Sequence, residues 1–85
     1  MAETRDIRLK RLRMRSMRRG IKEMDIILDR FATAQLASLE PDVLELYEVL
    51  LEENDQDLYQ WVSGQAPAPA QYTALIGQIS DVMSA

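Results

Sequence analysis

The stretch Met17-Arg18-Arg19-Gly20-Ile21-Lys22-Glu23-Met24-Asp25-Ile26-Ile27-Leu28-Asp29-Arg30-Phe31 decides the fold. Apolar side chains recur at Ile21, Met24, Ile27, Leu28 and Phe31, the spacing of one face of an α-helix, while Lys22, Asp25 and Asp29 fall off that face. The spacing predicts an amphipathic helix over residues 17–34 whose apolar side builds core. Burying Leu28 or Phe31 there stabilises the fold by about 1.5 to 3 kcal/mol each. Gly20 runs against this pattern. A glycine inside a helix costs about 1 kcal/mol relative to alanine, and an arginine four residues before a glutamate, as in Arg19 and Glu23, is the weaker orientation of a helical ion pair. Two readings follow. Gly20 lets a partner surface approach closely, with Arg19 and Glu23 as hydrogen-bonding groups on either side, or it relaxes a bend between two helices. Gly20→Arg is expected to leave the isolated chain folded or slightly more stable, because arginine has the better helical propensity, while a partner is kept from binding.

Outward from this segment the helical punctuation continues. Thr4 reads as an N-cap opening a basic helix over residues 5–14, whose Ile7, Leu9, Leu12 and Met14 form no single stripe. Pro41 suits the first position of a helix over 41–53, with Leu44, Tyr47, Leu50 and Leu51 as core and Val43 and Leu46 beside them. Asn54, Asp55 and Asp57 read as cap residues of a helix over 55–63 that Gly64 stops. Trp61, in step with Leu58, reads as core. A Pro/Ala connector then leads to a helix over 70–83 carrying Tyr72, Leu75, Ile76, Ile79, Val82 and Met83. The fold expected is all-α: residues 1–85 as one compact domain of about five short helices, with a radius of gyration of roughly 12 Å.

Composition narrows the chemistry. The 85 residues contain no Cys and no His, which removes disulfides, thiolate nucleophiles, zinc fingers and imidazole acid–base catalysis. Asp55 and Asp57 lack the further acids and the loop glycine of a calcium site. The expectation is therefore a chain that is not an enzyme, with no catalytic residues, no metal and no cofactor of its own. No apolar run exceeds four residues, so membrane insertion is not expected. Glu3 and Asp6 are out of place in a transit peptide, and the motif begins too early for a removable leader; the location expected is cytoplasmic.

Charge is sharply divided. Residues 1–22 hold nine Lys or Arg against Glu3 and Asp6, a net +7, whereas the remainder holds Arg30 against twelve acids, a net −11. The basic end could address nucleic acid, anionic lipid or an acidic protein surface, but the acidic body repels the first two. A protein partner fits this polarity best. The alternative is a small nucleic-acid-binding module using its Arg-rich N-terminus.

Two motifs carry a family resemblance: Arg-Gly-x-x-Glu at Arg19, Gly20 and Glu23 with Asp25 after it, and Leu-Leu-Glu-x-x-Asp-x-Asp-Leu-Tyr-x-Trp from Leu50 to Trp61. In their order, separation and chain length they resemble the succinate dehydrogenase flavinylation factor family, small proteins that promote covalent attachment of FAD. The resemblance implies binding to the flavoprotein subunit of succinate dehydrogenase, and to its fumarate reductase relative, through a surface at Arg19, Gly20 and Glu23 that Arg15, Arg18 and Asp25 extend. It also implies that FAD is joined to a histidine of the partner and is not carried by this chain, and that docking brings imidazole and flavin together. The chain departs from the family in having Met14 and Met17 where an aromatic residue is frequent before the glycine.

Overall fold

Residues 3–17 and 19–84 are described by a computed structural model, in which helices follow one another as the periodicity predicts. They are α1 (Arg5–Ser16), α2 (Lys22–Gln35), α3 (Pro41–Leu50), α4 (Asp55–Val62) and α5 (Thr73–Ser84), with 3-10 turns at Leu36–Ser38 and Ala70–Tyr72. Among the described residues there is no strand. The radius of gyration is 12.2 Å.

α2 is the hub. Its Met24, Ile27, Leu28, Phe31 and Ala32 are buried, and the helix packs against α1, α4 and α5. The ring of Phe31 lies 5.4 Å from that of Tyr47 on α3, at a tilt of 35°, a favourable aromatic offset inside the core. From α1, Leu12 is buried while Ile7 and Met14 are exposed, so a single residue per turn reaches the centre. Ser16, a polar residue in the core, donates to the Leu12 carbonyl at 2.8 Å and shares a hydrogen bond with the Tyr47 hydroxyl. Both buried hydroxyls are thereby satisfied, and burial pushes the Tyr47 phenol up to about 12.

The starts of α1, α3 and α4 and the end of α4 carry the signals the sequence shows, whereas the helix expected over 41–53 ends at Leu50 and the one expected over 70–83 begins at Thr73, after a 3-10 turn. The Thr4 hydroxyl accepts from the Ile7 N–H at 3.2 Å, Pro41 takes the first turn of α3, and the Asn54 side chain accepts from the Gln56 N–H at 2.8 Å. α4 ends where Gly64, at φ 82°, adopts the left-handed conformation. There the Gly64 N–H donates to Trp61 O and the Gln65 N–H to Gln60 O, closing a Schellman cap.

Two expectations need correction. The helix expected over 17–34 begins at Lys22: Met17 (φ −101°, ψ 168°) and Ile21 (φ −116°, ψ 126°) are extended, and the first backbone bond of α2 runs from the Asp25 N–H to Ile21 O. Gly20 therefore lies in a break between helices, the second of the two readings. Trp61 is not fully buried either; it packs on the margin of the core with its ring 5.8 Å from Tyr72. At about 100° of rotation per residue, Leu58 and Val62 share the inward face of α4 and Trp61 falls at its edge.

Candidate functional site

The break between α1 and α2 is built around one carboxylate. Asp55 stands at the first position of α4, where the positive end of the helix dipole favours an acid. Its Oδ1 accepts from Arg19 Nε at 2.8 Å and its Oδ2 from the Gly20 backbone N–H at 2.6 Å. The rest of the Arg19 guanidinium is used locally, with Nη1 donating to Arg15 O at 3.2 Å and Nη2 to Leu51 O at 3.1 Å. The Arg19 side chain is 11% exposed and that of Asp55 19%, so the pair sits in a partly dry setting where such a bond is stronger than at the open surface. The two sequence motifs, some thirty residues apart, thus meet at a single ion pair.

Arg19 and Glu23 are not partners, as a helix through residue 20 would have made them. Arg19 turns inward to Asp55 and Glu23 is exposed in the first turn of α2. Arg15 bonds Glu52, in the turn after α3, at 2.6 Å and extends the ladder that α1 makes with Glu48 of α3. Arg18 lies outside the described residues. Asp25 is half-buried and, with Met17, Ile26 and Asp29, lines a shallow groove of about 140 Å³ beside Glu23. Met17 and Ile26 are 42% and 48% exposed, two large apolar side chains facing outward on either side of the Gly20 break. Such a pair edged by acids is suited to contact with another protein and too shallow to enclose a small molecule.

Among the remaining basic residues of α1, Arg8 and Arg11 are neutralised by acids, whereas Arg5 donates to the carbonyls of Ala37 and Leu39 and Arg13 to the Thr33 hydroxyl. Arg8 and Arg11 both reach Glu48 on α3, at 3.1 and 2.8 Å, and Arg11 also reaches Glu3 at 2.8 Å. The hydrogen bond from Arg11 holds the Glu48 carboxyl below the usual carboxylate range. The +7 end is thus spent in part on the acidic body of the same chain, through Arg8, Arg11, Arg15 and Arg19. Among the described residues no three acids gather as a metal site requires.

Sequence reasoning missed Asp55 and Ile26. Asp55 was legible as a cap, a role that falls to Asn54, and as a member of the second motif, but not as a site residue, because the local sequence does not show a partner thirty-five residues away. Ile26 is hidden in an apolar run in which its neighbours Ile27 and Leu28 are core.

Residues 10–83 match the family described as flavinator of succinate dehydrogenase. The chain is 41% identical over 70 residues to a protein of Schizosaccharomyces pombe named succinate dehydrogenase assembly factor 2, mitochondrial, covering 82% of this chain and 50% of that one. Relatives of the same name in Meyerozyma guilliermondii and Drosophila grimshawi are 44% identical over 61 residues and 37% over 68; these cover 72% and 78% of this chain and 45% and 46% of theirs. The chain spans about half the length of each. These names contradict the cytoplasmic location expected from the sequence, since each places its bearer in the mitochondrion; acids near the start of the chain are a poor guide to location. With its match running from the middle of α1 nearly to the end of α5, the chain belongs to the family of flavinators of succinate dehydrogenase.

Proposed function

We propose that this chain binds the flavoprotein subunit of succinate dehydrogenase and promotes covalent attachment of FAD to it, acting as an assembly factor and not as a catalyst. The observation that carries the reading is the surface at the α1–α2 break: Gly20 backbone held open by Asp55, with exposed Glu23, Met17 and Ile26 around it. Family membership supports the reaction, and the lack of any histidine supports a link made on the partner's side. Glu23 and the neighbouring Asp25 and Asp29 give the contact an acidic character, so the docking surface of the partner carries basic groups around an apolar centre.

On this reading FAD is a substrate that the partner holds. The contribution of this chain is orientation: binding one arrangement of the flavoprotein better than others raises the population in which the reacting groups are close. The nucleic-acid alternative is disfavoured, because Arg8, Arg11 and Arg15 are engaged by Glu48 and Glu52 and are not arrayed for phosphates. The test is co-production of the flavoprotein subunit with the wild-type chain, with Glu23→Ala, or alone, in cells lacking a factor of their own. Covalent flavin fluorescence of the denatured subunit should be strong in the first case and weak in the others. Equal fluorescence with and without the chain overturns the proposal.

A further inference from the structure

We infer that Asp55 is a positioning residue of the docking surface: it fixes the backbone at Gly20, and Arg19 contributes to docking through Asp55 and does not itself reach the partner. The inference rests on the docking reading above for its functional consequence, and on geometry for the rest.

Both oxygens of Asp55 are committed, one to the Arg19 guanidinium and one to the Gly20 N–H. All three guanidinium nitrogens of Arg19 donate within the chain, to Asp55, Arg15 and Leu51. An arginine that recognises a partner presents its planar fork outward, whereas this one is 11% exposed and turned in. Asp55 in turn is fixed by its helix, because Leu58 and Val62 anchor α4 in the core. The carboxylate is thus the stationary element, and the link between α1 and α2 is shaped around it.

Glycine at position 20 spares this inner side a close contact. A Cβ built there would stand 3.0 Å from Asp55 Oδ2, so any other residue pushes on a carboxylate whose other oxygen, Oδ1, Arg19 holds. Gly20 opens the first turn of the surface that presents Glu23, and Asp55 sets its direction.

The test is a double-mutant cycle on the full chain. Arg19→Ala, Asp55→Ala and the double variant are titrated onto the purified flavoprotein subunit of succinate dehydrogenase by calorimetry, and exchange of the Gly20 amide is followed by NMR in the same proteins. Each single change should weaken association roughly tenfold or more, with the double variant no weaker than the worse single, because both remove one device. The Gly20 amide of Asp55→Ala should exchange about tenfold faster or more, while amides of α5 keep their protection. Additive single effects would mean that Arg19 touches the partner itself, and a Gly20 amide as slow in Asp55→Ala as in the wild type would mean that Asp55 does not hold the link; either result overturns the inference. If an alanine variant loses its cooperative melt, Arg19→Gln and Asp55→Asn complete the same cycle. If the wild-type chain does not bind the subunit, the docking reading fails, and the Gly20 amide alone decides the role of Asp55.

Discussion

Gly20 is constrained from two sides, and the variants at this position separate them. Since residue 20 is not helical, the better helical propensity of arginine has nothing to act on, and Gly20→Arg is not the neutral or stabilising change that a continuous helix implies. It instead displaces an oxygen bonded to the Gly20 N–H. The expected cost is about 1 to 2 kcal/mol in urea unfolding, together with loss of docking. Glu23 behaves differently. It is exposed and has no ion-pair partner among the described residues, so Glu23→Ala should leave stability within about 0.5 kcal/mol of wild type. Its association with the flavoprotein should weaken by about 1 to 3 kcal/mol if the carboxylate is desolvated at the contact, as calorimetric titration would show.

At the scale of the elements, Trp61 and the ladder between α1 and α3 make separate predictions. Because Trp61 lies at the margin of the core against Tyr72, Trp61→Ala should cost about 2 kcal/mol by chemical denaturation, less than truncation of a fully enclosed ring. Glu48, held below the usual carboxylate range by Arg11, contributes stability that is present above the unfolded value near ~4.3 and is lost as pH falls through its lower folded value. Melting temperature should therefore drop on acidification below about pH 4.5, and Glu48→Gln should flatten that drop. The helices themselves were readable because burial follows the 3.6-residue period: Met24, Ile27, Leu28 and Phe31 on α2, and Leu75, Ile76 and Ile79 on α5, are all core. The break at Gly20 was not. Ile21 packs against the core although it precedes the helix, so the apolar spacing runs on across the link and conceals its end. Of the candidate site, the motif residues were legible as a group, but the inward turn of Arg19 was not, since it depends on a carboxylate supplied by another helix.

For the molecule as a whole, the basic N-terminal segment and acids from the middle of the chain become neighbours in space, α1 lying along Glu48 of α3 and Glu52 just after it. These are partly exposed pairs worth little singly, so high salt should lower the melting temperature by only a few degrees. Alkali acts on the interior. Tyr47 and Tyr72 are each pushed up to about 12, first by burial, with the Glu53 carboxylate adding to the shift at Tyr72. A phenol whose folded value is raised contributes stability that is complete below the unfolded value near ~10 and is lost as pH rises toward 12. Phenolate absorbance of these two residues should therefore appear together with the loss of helical circular dichroism, between about pH 10 and 12.

The bond between Gly20 and Asp55 also has a temporal side. A ribosome synthesises Gly20 well before Asp55, and the surface at the α1–α2 break has no acceptor for the Gly20 N–H until α4 has been added. Nascent chains that already contain Arg19, Gly20 and Glu23 but not yet Asp55 lack the bond that fixes this break. A fragment ending at Asn54 should show no detectable association with the subunit, whereas adding α4 and α5 as a separate polypeptide should restore part of it.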